Sequence, residues 1–184
     1  FCNLIYLMPL IAIFFIYGIV RINSLLVPVE DEWIYLDLSA YISNLRELKG
    51  LLHALIGGSF FESNYHPLYS WLLSYIAVLG PEFFPSAKVF SLLLSCFYIL
   101  CLFILFSHYF NPNTAWITVV LLTFNPLFQR YSCIVGPEIL LTVFTTIIWL
   151  LGIKKNISAR DSIYAGLGCG LAYLAKATGL FLVL

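Results

Sequence analysis

The stretch 86–106, SAKVFSLLLSCFYILCLFILF, decides the fold. A bilayer core about 30 Å thick is crossed by a helix of roughly 17 to 25 mainly apolar residues, and this run has that length and composition. Further apolar runs occupy 4–20, 114–128, 139–153 and 163–184. The chain as a whole agrees: 62% of its 184 residues are hydrophobic and only 10% are charged, whereas soluble domains are roughly half apolar and a quarter charged. With a mean hydropathy of +0.99, a soluble globule is excluded. The expectation is an all-α, polytopic transmembrane helical bundle.

The spaces between the runs carry the polar chemistry. Net charge is zero, and no basic run or Gly-rich phosphate loop is present, so nucleic acid is set aside as a partner. Cys2, Cys96, Cys101, Cys133 and Cys169 are scattered singly, and all but Cys133 lie in apolar stretches. They read as small core hydrophobes, not as a metal or disulfide framework. The run 4–20 lacks a basic leader and a small-residue cleavage site, so it reads as a first span or signal anchor. The chain opens on Phe1 and stops at Leu184 inside an apolar run; further residues are expected, above all at the C-terminus.

Residues 21–67 form the first loop and hold Glu30, Asp31, Glu32, Asp37, Glu47 and Glu62 against Arg21, Arg46 and Lys49. Within it Ile34, Leu38, Tyr41, Leu45 and Leu48 recur at helical spacing, which predicts an amphipathic helix lying apolar side down on the membrane or on other helices. A second helical piece over 48–56 is predicted to stop at Gly57-Gly58. The apolar stretch 67–79 is short for a span and reads as re-entrant or surface-lying. The one clearly basic short loop, Lys154, Lys155 and Arg160, is placed in the cytoplasm by the positive-inside rule. Counting back from it puts 21–85 and the loop 130–138 on the outer side, with the loop 107–113 inside.

Several side chains on that outer side carry candidate chemistry. Asp31 and Glu32 begin the amphipathic helix, where acids also serve as caps favoured by the helix dipole. Glu138 follows Gly136-Pro137 at the outer start of a span; it is either a first-turn acid or a functional one. Two acids on one face can act as base and partner, or hold a divalent cation. Lys176 interrupts the last apolar run, where a lysine costs a few kcal/mol and marks a functional or paired site. Thirteen residues from Ile163 at 1.5 Å each lift it roughly 20 Å, into the outer half of the bilayer. It reads as a structural ion pair, a snorkelling lysine, or a binder of anionic lipid phosphate. Arg130 offers a bidentate fork to phosphate or anchors a span end. His66, where the loop re-enters the membrane, is a ligand candidate beside a structural role.

Taken in order, these segments resemble the membrane glycosyltransferases of the GT-C fold, in particular protein O-mannosyltransferases and the aminoarabinose transferases that modify lipid A. Asp31-Glu32-Trp33-Ile34-Tyr35 resembles that group's acidic D-E motif ahead of an amphipathic helix, and His66-Pro67-Leu68-Tyr69 its P-P-L-Y segment. Asn125-Pro126 through Gly136-Pro137-Glu138 is similar to its second outer loop, and Ala165-Gly166 through Lys176 to its A-G-x-x-x-G-L-A-x-L-x-K span. The departures are His66 in place of the first proline, and Tyr65-His66 where some members carry a charged pair. The resemblance implies that residues 1–184 are the N-terminal part of a GT-C transmembrane domain in the cell membrane or the ER membrane. It implies a polyprenyl-phosphate-linked sugar donor, a lipid, glycan or protein acceptor, and inverting transfer on the outer or luminal face. Asp31 would be the catalytic acid, with Glu138 assisting and Lys176, Arg130 or His66 at the donor phosphate. Two rivals from other classes are a transporter or flippase, with Lys176 and Glu138 as an ion pair along a path, and a non-catalytic scaffold subunit.

Overall fold

The computed structural model describes residues 2–24, 28, 31–45, 67–78, 80–152 and 158–182. Among them every regular element is helical: α1 Cys2–Ser24, α2 Glu32–Leu45, α3 Pro67–Ala77, α4 Phe83–Tyr109, α5 Pro112–Thr123, α6 Pro126–Tyr131, α7 Glu138–Gly152 and α8 Ala159–Ala175. Two 3-10 turns, Gly80–Glu82 and Ala177–Leu182, complete the set. The predicted piece over 48–56, its Gly57-Gly58 stop and His66 lie outside the described residues.

Two helical stretches are long and apolar enough to cross a membrane, Ile5–Asn23 within α1 and Phe83–Tyr109. At 27 residues, α4 is about 40 Å long and forms the spine of the molecule. It packs against α1, α5 and α7; α2 lies on α3, and α8 on α7 and α3. One core joins Leu7 and Phe14 of α1 to Leu92, Ile99 and Phe103 of α4 and to Ala115 and Val119 of α5. A second joins Tyr35 and Leu36 of α2, Tyr69 and Leu73 of α3, Val135, Leu140 of α7 and Ala175 of α8. The outward side chains of α1 and α5, such as Ile5, Ile13, Ile117 and Leu121, are apolar and exposed, a surface suited to lipid.

Three sequence expectations are corrected. The run 114–128 is not one helix. Asn125 accepts hydrogen bonds from the Leu127 and Phe128 amides and caps α6, while Pro126 has no N–H to continue α5. The Gln129 side-chain amide donates to the Thr123 carbonyl across the break at 2.9 Å. The run 163–184 is also divided. Helix α8 opens on a Ser158–Asp161 capping box and ends at Lys176, whose backbone is extended. The 3-10 turn then folds back so closely that a Cβ at Gly179 would strike the Ala172 carbonyl group. Lys176 therefore stands at a helix end, not inside one.

The third correction concerns α2. Its buried face is Glu32, Tyr35, Leu36, Ser39 and Ile42, whereas Ile34 and Leu38 are half-buried and Tyr41 is exposed. The apolar stripe read from spacing is rotated away from the packed face. Ser39 fits this interior because its hydroxyl donates to the Tyr35 carbonyl one turn back.

Candidate active site

The helix ends that carry the candidate residues meet at one end of the bundle. The loop between α6 and α7 is the hub, because Val135, Gly136 and Pro137 are all buried and the amides of the first two are taken up by side chains from distant parts of the chain. The Val135 amide donates to Glu32 Oε1 at 2.8 Å. The Gly136 amide donates to the Tyr69 hydroxyl at 3.1 Å. That hydroxyl lies 2.7 Å from Ser91 Oγ, and Ser91 donates in turn to the Ala87 carbonyl at 3.4 Å. Burial pushes the Tyr69 phenol far above its usual range, so it remains protonated as this chain of donors requires. On the α1 side, Cys133 Sγ sits 3.8 Å from the Gly18 carbonyl. Burial raises the Cys133 thiol, so it is neutral, a small core group as its isolation in sequence suggested.

Glu32 is only 1% exposed and so is Lys88, whose ammonium lies 3.9 Å from Glu32 Oε2 and 4.2 Å from the centre of the Phe84 ring. Two charges taken out of water in this way need one another and their hydrogen bonds. Glu32 thus fastens the start of α2 to α4 and to the α6–α7 loop. Its neighbour Asp31 is exposed, and the Asp31 carbonyl accepts the Ile34 and Tyr35 amides at the first turn of α2. The two adjacent acids therefore have different environments, one locked into the interior and one open at its edge.

Glu138 starts α7, three residues beyond the Glu32-bound Val135. Its carboxylate reaches across to α8, where Lys176 Nζ donates to Oε1 at 2.6 Å. Lys176 and Glu138 are 38% and 42% exposed. They sit in the wall of a cavity of about 420 Å³ lined also by Asn125, Leu127, Phe128, Tyr131, Ile139 and Thr142. The carboxylate lies over Gly136, where a Cβ would collide with Oε2; the glycine makes room for it. Arg130 is exposed near the end of α6, next to the Tyr131 that lines the cavity. Among the described residues no three His, Cys, Asp or Glu side chains gather as a metal site.

Of the sequence candidates, the structure brings Glu138 and Lys176 into contact and ties Glu32 to the loop ahead of Glu138. His66 lies outside the described residues. Lys88 and Tyr69 were not singled out in the sequence. A lysine near the start of the run 86–106 was the available signal for the first; the second had only its place in the P-L-Y segment.

This arrangement, an exposed acid at the edge of a helix and a second acid paired with lysine beside a largely apolar cavity, stands at the end of a bundle with lipid-suited flanks. A family model described as dolichyl-phosphate-mannose-protein mannosyltransferase matches residues 64–184. The chain belongs to that family. It is a membrane glycosyltransferase of the mannosyltransferase type, as the resemblance to the GT-C group implied, and the match takes in α3 to α8 with Tyr69, Lys88, Glu138 and Lys176. Searches of curated proteins and of solved structures return no match.

Proposed function

We propose that this mannosyltransferase-family protein moves a sugar from a polyprenyl-phosphate donor to an acceptor hydroxyl, with inversion, on the outer or luminal face of the membrane. In this reading residues 1–184 are the N-terminal part of a multi-pass GT-C domain, and 21–67 is its first outer loop. The observation that carries the proposal is the Glu138–Lys176 pair opening on a cavity with Leu127, Phe128 and Ile139 in its lining. A lysine at an apolar groove offers a cation to a phosphate and a dry surface to the isoprenoid chain behind it.

The Asp31 carboxylate accepts the proton of the acceptor hydroxyl as the acceptor oxygen bonds to C1 of the sugar. The bond from C1 to the phosphate oxygen breaks, and the polyprenyl phosphate leaves with that electron pair. Lys176 stabilises the charge gathered on the leaving phosphate, and Glu138 assists from the same end of the bundle. Arg130 and His66 are further phosphate candidates, and a divalent cation is a further partner for the acids. Because attack and departure occur on opposite faces of C1, the anomeric centre inverts.

Asp31→Asn, nearly isosteric but unable to serve as a base, is expected to abolish transfer in a protein that still inserts and folds. Lipid mass spectrometry of polyprenyl-phosphate sugars in membranes expressing the full-length protein reads this without knowledge of the acceptor. One donor should be depleted by the wild type and not by the variant. Equal donor pools in both would remove Asp31 from the reaction.

A further inference from the structure

Among the described residues two carboxylate–lysine pairs stand at the same end of the bundle, and their environments differ in a way that separates their roles. Glu32 and Lys88 are each 1% exposed and lie in the interior. Glu138 and Lys176 are 42% and 38% exposed and form part of a cavity wall. Resting on the proposed function above, we infer that the second pair is an exchangeable latch: a polyprenyl monophosphate, the leaving group of the proposed transfer, takes Lys176 from Glu138, so the Glu138 carboxylate is set free only when that phosphate occupies the site.

Three observations carry this. The contact is a single one, Lys176 Nζ to Oε1, between partly exposed groups, so it is open to competition. A phosphate monoester brings nearly two negative charges and three acceptor oxygens where the carboxylate brings one charge and two oxygens. It therefore outcompetes the carboxylate for one ammonium once its chain is seated against Leu127 and Phe128. Finally, the two partners are held from different directions. Glu138 follows a loop pinned by Glu32 and Tyr69, whereas Lys176 ends α8, its amide bonded to the Ala172 carbonyl and its own carbonyl to the Gly179 amide. Separating the side chains requires side-chain rotation only, with both backbones fixed.

The position of the carboxylate supplies a second handle. It rests over Gly136, where a methyl group would displace Oε2. Gly136→Ala keeps the amide that donates to Tyr69 and keeps the charge of Glu138, yet pushes the carboxylate from its seat. Glu138→Gln removes the charge and leaves the shape. Both changes weaken the grip on Lys176 by separate means, and both should favour the phosphate.

The test is binding of a short-chain polyprenyl monophosphate, carrying no sugar, to the full-length protein in nanodiscs, with the matching polyprenol and inorganic phosphate alongside. Glu138→Gln and Gly136→Ala should each bind the monophosphate about two- to fivefold more tightly than the wild type, the range set by a partly exposed ion pair. Lys176→Met should weaken binding by about tenfold or more, as loss of a charge-assisted contact does, with polyprenol binding unchanged throughout. Inorganic phosphate binding as tightly as the lipid would overturn the polyprenyl assignment. If Lys176→Met weakens binding but neither Glu138→Gln nor Gly136→Ala tightens it, the latch is wrong and the donor site stands. If Lys176→Met binds like the wild type, the phosphate does not use this lysine and the latch falls, while the proposed transfer is still judged by Asp31→Asn.

Discussion

Glu32 and Asp31 are neighbours of one chemistry placed in two environments, and the difference fixes what each can do. The buried Glu32 carboxylate has a backbone amide at 2.8 Å and a lysine ammonium at 3.9 Å, so its charge is spent on holding α2, α4 and the α6–α7 loop together. Lys88→Met leaves that carboxylate buried without its cation and should cost about 3–5 kcal/mol of stability. Thermal unfolding in detergent measures it, and the double variant Lys88→Met with Glu32→Gln should recover much of the loss. A double variant no better than the single would show that the pair is not what holds this end. Tyr69→Phe should cost about 1–3 kcal/mol, because the Gly136 amide and Ser91 lose a partner inside the protein. The same assay reads it.

At the scale of elements, the break between α5 and α6 and the orientation of α2 carry the consequences. The Asn125 side chain accepts two amides at the start of α6, and Asn125→Ala should destabilise the protein by about 1 kcal/mol, with the effect centred on the residues lining the cavity. Amide exchange in α6 rising ahead of that in α4 would report it. For α2, single cysteines at Asp37 or Tyr41 should react readily with a maleimide and cysteines at Leu36 or Ile42 should be protected. The reverse pattern would restore the stripe that spacing alone proposes. The spacing misleads here for a physical reason. Apolar periodicity marks a helix face that leaves water, but beside a bilayer that face can go to lipid while polar side chains turn inward and find partners. Helix α2 does the second with Glu32 and Ser39.

The whole molecule has one end where Glu32, Lys88, Tyr69, Glu138 and Lys176 converge and another where Phe106 and Tyr109 of α4 meet Trp149 of α7. Helices α4 and α7 therefore run in the same direction, as the count back from the Lys154-Lys155 loop requires of spans that both start outside. Which end faces outward is a separate matter, decided by labelling. A single cysteine at Asp37, which is exposed, should react with an impermeant maleimide in intact cells; reaction only after lysis would place the converging end inside and overturn the outer-face assignment.

Sequence by itself determined that the chain is helical and apolar, with a stretch at 67–79 too short to span, because length and composition of apolar runs are local properties that a bilayer selects directly. The motifs of the acidic first loop and of the segment ending at Lys176 were legible enough to suggest the family. Only the tertiary structure decided which acid is buried, that Lys88 answers Glu32, that Tyr69 holds the loop before Glu138, and that Lys176 ends a helix beside Glu138. These follow from contacts between residues as far apart in the chain as Glu32 and Val135, and no local periodicity encodes a hydrogen bond across that separation. The chemistry of a charged side chain in this protein is set by its partner, and the partner is chosen by the packing of the helices.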